Sequence, residues 1–179
     1  MRPCILISLT LFLLGGIACN TSTSAGRPAA LLPMAGADIS FLPELEAKGA
    51  VFREGGTARD LPALLRDNGL NWIRLRLWHN PAAHGGWCDL AQTIALAKRI
   101  KALGLSFLLD IHYSDWWADP GQQWTPAAWT NLTGTALSNA VHDYTRDSLS
   151  AFAAAGATSD MLKTGYEITP GMLWPSGRV

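Results

Sequence analysis

Hydrophobic and polar positions along the chain follow two different spacings. Continuous or alternating apolar runs predict strands at 36–40, 71–78, 105–113 and 161–168. Apolar residues at helical spacing predict helices at 60–68, 90–103 and 137–155, and the stretch from the first strand to residue 56 is expected to form loops and turns. Asp60 and Asp89 occupy N-cap positions, while Gly69, Gly104 and Gly156 directly follow the helices. The resulting order, βαβαβαβ, requires a parallel sheet with helical crossovers.

The two middle strands carry different chemistry on their two faces, because side chains alternate along a strand. One face is entirely apolar and consists of Ile73, Leu75, Leu77, Phe107, Leu109 and Ile111. The other face consists of Arg74, Arg76, Trp78, Leu108, Asp110 and His112. An apolar outer face and a charged inner face are typical of a (β/α)8 barrel with its active site at the carboxyl ends of the strands. A doubly wound open sheet is the alternative, but no glycine-rich phosphate-binding sequence follows the first strand.

The length of the chain limits how much of such a barrel is present. A complete (β/α)8 barrel takes about 250 residues, whereas this chain has 179 residues and shows four βα repeats. We therefore expect an α/β fold that contains about the first four βα units of a TIM barrel, with an incomplete barrel domain at 34–179.

The composition excludes some classes of function. The chain has 14 basic and 14 acidic residues, so its formal net charge is zero and nucleic acid is not an expected partner. Hydrophobic residues make up 49% of the chain and charged residues 16%, which argues against a disordered protein. The chain also has eight tryptophans, and indole side chains commonly lie where an apolar face meets a polar ligand.

The first 18 residues have the layout of a secretory signal peptide, with one basic residue, an apolar run and small residues ending at Ala18. The polar stretch that follows favours a lipoprotein signal, so we expect Cys19 to carry lipid and 19–33 to form a linker. The protein is expected to be exported, either secreted or anchored at the cell envelope, with membrane contact only through the lipid. A retained transmembrane helix and simple cleavage near Ala18 are the alternatives.

Cysteine and histidine positions do not predict a disulfide or a metal site. Loss of the signal and lipidation of Cys19 would leave Cys88 as the only free thiol, which we expect to be partly buried. His79 and His84 lie in a loop rich in glycine and proline, without the spacing of metal ligands. We therefore expect no metal and no other cofactor in this part of the protein.

Three motifs end the predicted strands: RLRLW at 74–78, DIHYSDWWADPG at 110–121 and GYEITPGMLWP at 165–175. Because the carboxyl ends of barrel strands converge, Arg76, His112 and Glu167 are expected in one pocket. The expected rim of the pocket consists of Trp78, Trp116, Trp117 and Trp174. Flat indole faces suit pyranose rings and polar side chains suit sugar hydroxyls, so we hypothesise a carbohydrate site.

These residues also have structural interpretations. Arg76 and Asp110 could form an ion pair inside the barrel, His112 could be a hydrogen-bonded core histidine, and half of the tryptophans could serve packing alone. Glu167 is harder to explain in this way, because a carboxylate at the end of an apolar strand is costly to desolvate without a partner.

Six segments together resemble one known family: GADIS, RLRLW, AKRIKALG, FLLDIHYSDWWADPGQQWTPAAW, AVHDYTRDSL and GYEITPGMLWP. Over about 36–175 the chain is similar to the N-terminal half of the arabinogalactan endo-β-1,4-galactanases, glycoside hydrolase family 53. The resemblance implies a retaining hydrolase of β-1,4-galactan or arabinogalactan, monomeric when complete, with a catalytic barrel that begins at 34. It implies that Glu167, on the fourth strand, is the general acid/base.

The resemblance places the nucleophile on a seventh strand, which is absent from these 179 residues. Since retaining chemistry needs both carboxyl groups, the 179-residue chain alone is expected to be inactive. The substrate-binding residues that the resemblance implies are Asp38, Arg76, His112, Tyr113, Trp116, Tyr166 and Trp174. Tyr166 stands where the family has an asparagine that binds the sugar 2-hydroxyl, so catalysis is expected to be weakened.

Two other interpretations remain open. A half-barrel without its nucleophile could be an inactive product that binds galactan weakly at most. Alternatively, the chain could come from a related glycosidase that acts on another β-linked polysaccharide.

Overall fold

The structure is a computed structural model that describes residues 34–179. The predicted signal peptide at 1–18, the lipidation of Cys19 and the linker at 19–33 lie outside the described residues. Within 34–179, none of the helices combines the length and the apolar character needed to cross a membrane.

A four-stranded parallel sheet forms the centre of the described residues. Its strands are β1 (Gly36–Asp38), β4 (Trp72–Leu77), β5 (Ser106–Ile111) and β6 (Met161–Thr164). They pair in chain order, β1-β4-β5-β6, and every pairing is parallel. The order never reverses along the sheet, which is typical of consecutive barrel strands and unlike a doubly wound sheet.

Three helices precede or link the strands at the predicted places: α2 (Leu61–Asp67), α3 (Leu90–Ala102) and α4 (Gly134–Ala154). Both predicted N-caps are confirmed, because Asp60 accepts a hydrogen bond from Ala63 N and Asp89 accepts one from Gln92 N. The capping carboxylates satisfy backbone N–H groups that have no partner within the helix. They thereby fix where the helices begin relative to the sheet.

The prediction of loops and turns up to residue 56 is wrong in two places. A short helix, α1 (Leu42–Ala47), begins directly after β1, and its Leu42 is 1% exposed. A small antiparallel hairpin follows, with β2 (Arg53–Glu54) and β3 (Thr57–Ala58) joined by two glycines. Gly55 and Gly56 have φ of 54° and 83°, the positive values that a type I′ hairpin turn requires.

The fourth strand is also shorter than predicted. β6 ends at Thr164, and Gly165 follows with a φ of 81°. Residues 165–168 therefore form a turn beyond the sheet, and Glu167 lies three residues after the strand instead of at its end. The left-handed glycine turns the chain away from the strand direction.

The apolar face of the sheet packs against the helices, as predicted. All six of its predicted residues are at most 1% exposed: Ile73, Leu75, Leu77, Phe107, Leu109 and Ile111. They join one core cluster with Leu96, Ala97 and Ile100 of α3 and Phe152 of α4. Complete burial stabilises the fold by roughly 1.5–3 kcal/mol for a side chain of the size of Phe107. This packing leaves the opposite face of the sheet to the polar residues of the site.

Candidate functional site

An ion-pair network covers the polar face of the sheet. Arg74 Nε donates to Asp110 Oδ2 at 2.8 Å, and Arg74 Nη2 also bonds this oxygen. Arg74 Nη1 lies 3.1 Å from Asp38 Oδ2, and Lys163 Nζ lies 3.7 Å from Asp110 Oδ2. The Asp110 side chain is fully buried, and burial raises its pKa while the bonds from Arg74 oppose that rise. Two carboxylates and two cations thus connect all four strands of the sheet.

The proposed ion pair between Arg76 and Asp110 is wrong, because Arg74 takes that partner. Arg76 and Asp110 are direct neighbours in the strand register. The guanidinium of Arg76 nevertheless lies between two aromatic rings, with Cζ 4.2 Å from the Phe41 centroid and 4.1 Å from the Trp117 centroid. Such cation–π contacts strengthen when the cation is desolvated, and Arg76 is only 3% exposed.

Asp38 connects the end of β1 to the side chain of Arg76. Asp38 Oδ1 accepts hydrogen bonds from Ser40 N at 2.9 Å and Ser40 Oγ at 2.6 Å. Ser40 Oγ in turn accepts from Arg76 N at 2.8 Å, and Arg76 Nη1 lies 3.7 Å from Asp38 Oδ2. The Asp38 side chain keeps 27% of its surface exposed, so it can still reach a ligand.

His112 is a neutral, buried histidine. Trp78 Nε1 donates to His112 Nδ1 at 3.2 Å, which places the proton of the neutral ring on Nε2. Burial, assisted by the positive charges of Arg76 and Arg74, lowers the pKa of His112 to about 3. His112 Nε2 is buried and has no hydrogen-bond partner among the described residues. The core-histidine interpretation therefore accounts for one ring nitrogen only.

Tyr166 lies directly over His112. The two rings are stacked, with centroids 4.6 Å apart and planes 2° from parallel. Lys163 Nζ lies 4.1 Å and Arg74 Cζ 4.7 Å from the centre of the phenol ring. A side-chain hydrogen bond to Glu167, together with partial burial, raises the pKa of Tyr166. The phenol thus links the buried histidine to the exposed carboxylate of Glu167.

The structure brings five of the eight predicted site residues into one connected cluster: Asp38, Arg76, His112, Trp116 and Tyr166. Trp116 joins it through the fully buried Trp78, whose ring centroid is 4.4 Å away, and stacks on His84 at 4.7 Å. Glu167 borders the cluster through Tyr166. The site is thus assembled from the carboxyl ends of all four strands.

Tyr113 and Trp174 have their contacts elsewhere. The hydroxyl of Tyr113 bonds Thr145 Oγ1 of α4 at 2.7 Å, so this side chain packs on the helix side of the sheet. Trp174 Nε1 donates to Pro170 O at 3.2 Å, and its ring contacts Trp124 and Arg178. Their roles in substrate binding stay predictions.

Among the residues that the sequence analysis missed, Asp115 and Gln123 hold the loops of the site region. Asp115 Oδ1 accepts from Asn80 N at 3.0 Å, and Asp115 Oδ2 accepts from Ala127 N at 2.8 Å, so one carboxylate ties two loops together. Gln123 is 2% exposed and bonds the backbone around Glu167. Asp115 lies inside the long motif at 110–121, which is a usable signal, whereas nothing in the single sequence distinguishes Gln123 from its neighbour Gln122.

The thiol of Cys88 is buried beside this cluster. Cys88 is 4% exposed, its Sγ lies 3.5 Å from Ser40 O, and burial raises its pKa. Within residues 34–179, no group of three His, Cys, Asp or Glu side chains is placed to hold a metal ion. The expectation that this part of the protein carries no cofactor stays a prediction.

The chain is similar to known proteins over nearly all described residues. The model of glycosyl hydrolase family 53 matches residues 34–179. An uncharacterized protein of Niallia circulans is 50% identical over 145 residues, which are 80% of this chain and 39% of that protein. A probable arabinogalactan endo-β-1,4-galactanase A of Aspergillus terreus is 44% identical over 155 residues, 82% of this chain and 44% of the relative.

A solved structure of a fungal β-1,4-galactanase superimposes with a TM-score of 0.78 at 39% identity, covering 83% of this chain and 44% of that chain. The present chain therefore spans less than half the length of each of these three proteins. The matches confirm the predicted fold, a (β/α)8 barrel of which this chain contains about the first four βα units.

Proposed function

This chain belongs to glycosyl hydrolase family 53, and from that premise we propose that the whole protein is an arabinogalactan endo-β-1,4-galactanase. The reaction is hydrolysis of β-1,4-galactosidic linkages inside galactan chains. The observation that carries the proposal is the cluster at the carboxyl ends of the strands, where Asp38, Arg76 and His112 meet the pair Tyr166 and Glu167. Glycosidases on barrels place their reacting carboxylates at this end.

Glu167 is the proposed general acid/base of a retaining mechanism. It protonates the leaving glycosidic oxygen and then removes a proton from the attacking water. Its side chain is exposed, and its interaction with the neighbouring Tyr166 hydroxyl raises the pKa of that phenol. A retaining reaction needs a second carboxyl group roughly 5–5.5 Å away as the nucleophile. The family resemblance assigns that group to a seventh barrel strand, outside the 179 residues of this chain.

The remaining site residues bind and orient the sugar. Asp38 and Arg74 keep part of their side chains exposed, so they can bond sugar hydroxyls. Arg76 and His112 are nearly fully buried, so they act indirectly. Arg76 holds Asp38 in place, and His112 holds the ring of Tyr166. The half-buried indoles of Trp116 and Trp117 offer flat apolar surface to a pyranose ring.

The experiment compares the whole protein with its Glu167→Gln variant on β-1,4-galactan, and reducing ends and galacto-oligosaccharides are measured. Loss of general acid/base catalysis should lower kcat by about 10²- to 10⁴-fold. Glu54→Gln, which changes an exposed carboxylate paired with Arg59 on the β2–β3 hairpin, should leave kcat unchanged. Correctly folded protein that releases nothing from galactan would contradict the proposal, and release from mannan or cellulose instead would identify a related glycosidase.

Binding without hydrolysis is the second candidate function. It is favoured by Tyr166, whose ring covers the buried Nε2 of His112 where a smaller side chain would leave space. Galacto-oligosaccharides would then raise the melting temperature without being cleaved. Cleavage together with stabilisation would exclude this candidate.

The proposed cellular location rests on the N-terminal sequence alone. We propose export and, through Cys19, anchoring at the cell envelope, with a monomeric mature protein. Mass spectrometry of the mature N-terminus should find a lipidated cysteine at position 19, and size-exclusion chromatography should give the mass of one chain. An unmodified N-terminus directly after Ala18 would show that the protein is secreted and not anchored.

A further inference from the structure

The side-chain amide of Gln123 holds the turn that carries Glu167. Gln123 Nε2 donates to Tyr166 O at 2.7 Å, to Glu167 O at 3.2 Å and to Asp119 O at 3.2 Å. All three acceptors are carbonyl oxygens, so only the amide nitrogen can face them. Because Gln123 is 2% exposed, water cannot easily replace these bonds.

The backbone of the same turn needs such support. Glu167 has a φ of 53°, in the left-handed region that residues other than glycine, asparagine and aspartate seldom adopt. This conformation persists only where surrounding contacts enforce it. The two carbonyl groups that Gln123 bonds flank the N–Cα bond of Glu167, whose rotation is φ.

The main chain of Gln123 fastens the other end of the segment. Trp174 N donates to Gln123 O at 2.6 Å, and Thr125 Oγ1 donates to Trp174 O at 2.9 Å. The segment 166–174 is therefore attached at both ends to residues 123–125. This attachment makes the loop after β5 the support for the turn after β6.

We propose that Gln123 is a positioning residue that fixes the direction of the Glu167 carboxyl group toward the scissile bond. The role rests on the proposed function, in which Glu167 is the general acid/base. Without the amide, the carbonyl groups of Tyr166 and Glu167 lose this donor. The Glu167 carboxyl group can then move out of the position needed for proton transfer. A displacement of about 1 Å in such a group can lower the rate by about a hundredfold.

The test uses Gln123→Met in the whole protein, because methionine keeps the length of the side chain and removes the donor. On galactan, kcat should fall between about tenfold and a hundredfold with little change in KM. A dinitrophenyl galactobioside separates loss of positioning from loss of folded protein. Its leaving group needs no protonation, so Gln123→Met should hardly change the rate of glycosylation of the enzyme by this substrate. In a Glu167→Gln background, Gln123→Met should have no further effect.

Gln122→Met is the matched control, since the side chain of this neighbouring glutamine bonds only the side chain of Asp119 among the described residues. It should leave kcat on both substrates unchanged. The proposal would be overturned by equal losses of kcat/KM, which reports glycosylation, on galactan and on the dinitrophenyl substrate. The same loss in the Glu167→Gln background would also overturn it.

A second readout does not depend on hydrolysis. In protein labelled with ¹³C at tyrosine rings, Gln123→Met should move the raised pKa of Tyr166 toward its ordinary value, because the hydrogen bond to Glu167 loosens. Gln122→Met should not move it. This titration tests the positioning role of Gln123 even if the whole protein fails to cleave galactan. An unchanged Tyr166 titration in Gln123→Met would overturn that role.

Discussion

The imidazole of His112 and the phenol ring of Tyr166 lie parallel with their centroids 4.6 Å apart. His112 follows β5 and Tyr166 follows β6, so the stack closes the gap between the ends of two neighbouring strands. The phenol thereby covers a histidine whose buried Nε2 has no hydrogen-bond partner within residues 34–179. Tyr166 therefore occupies space above the histidine that a sugar would need in order to reach it.

Replacing this phenol should increase activity. Tyr166→Asn uncovers His112 and introduces an amide, the group that the family resemblance implies for binding the sugar 2-hydroxyl. Hydrogen bonds to that hydroxyl contribute several kcal/mol in the transition state, so kcat on galactan should rise by at least about tenfold. Steady-state kinetics of the whole protein measure this.

Tyr166→Phe is the matched control for that variant. It keeps the ring over His112 and removes only the hydroxyl that interacts with Glu167, so it should not raise kcat. An equal gain from both variants would show that the hydroxyl, and not the covering ring, limits catalysis.

The neutral state of His112 predicts a pH-dependent stability. Its folded pKa of about 3 lies below the ordinary 6.5, so the unfolded chain binds the proton more readily between these values. The contribution of neutral His112 is complete above about pH 6.5 and is lost as the pH falls toward 3. Urea unfolding at pH 7, 5 and 4 should show this decline, with a limit of about 1.4 kcal/mol per pH unit.

His112→Asn removes the titrating group and should flatten the pH dependence relative to the unmodified protein. The Trp78 indole N–H signal in NMR spectra provides a direct check, since Trp78 donates to the nitrogen that would take up the proton. Protonation of His112 near pH 6 would contradict this prediction.

Removing Arg74 should destabilise the fold strongly. Arg74→Met would leave the fully buried Asp110 without its main cation, and an uncompensated buried charge of this kind costs about 3–5 kcal/mol. Chemical denaturation measures the loss. The double variant Arg74→Met/Asp110→Leu should recover most of it, because the buried carboxylate is then removed together with its cation.

Arg146 on α4 offers the corresponding surface control. It pairs with Asp143 and Asp147, and all three side chains are more than half exposed. Arg146→Met should change the free energy of unfolding by at most about 0.5 kcal/mol. A loss similar to that of Arg74→Met would mean that burial is not what distinguishes the two pairs.

Cys88 should resist modification in the folded protein. The thiol is 4% exposed and burial raises its pKa, so both access and thiolate fraction are low at pH 8. Iodoacetamide labelling followed by peptide mass spectrometry should find Cys88 modified slowly in buffer and quickly in 6 M guanidinium. Equal rates under both conditions would contradict the packing against Ser40.

The repeating part of the fold could be predicted because it follows simple periodicities. Alternation separated Leu75 and Leu109 from Arg74 and Asp110, and the capping residues Asp60 and Asp89 marked helix starts. The small elements α1 and the β2–β3 hairpin have too few residues to show a period. They are held by tertiary packing of residues such as Leu42 and by the two-glycine turn.

The site could be predicted as a set of residue types, but its pairings could not. Strand register places Arg76 beside Asp110, but the Arg76 guanidinium packs between the rings of Phe41 and Trp117 instead. The family resemblance implies that Tyr113 binds substrate, whereas alternation places residue 113 on the apolar side of β5, where its hydroxyl bonds Thr145 of α4. Such choices depend on contacts between distant segments.

The bridge formed by Asp115 bears on how this barrel face can be redesigned. Its two carboxylate oxygens accept from Asn80 and Ala127, so the segments following β4 and β5 share one anchor. Grafting either segment alone from another family member would leave a backbone N–H without its acceptor and would shift the other segment. The two segments form a single exchangeable module, and new substrate ranges should be sought by transplanting them together.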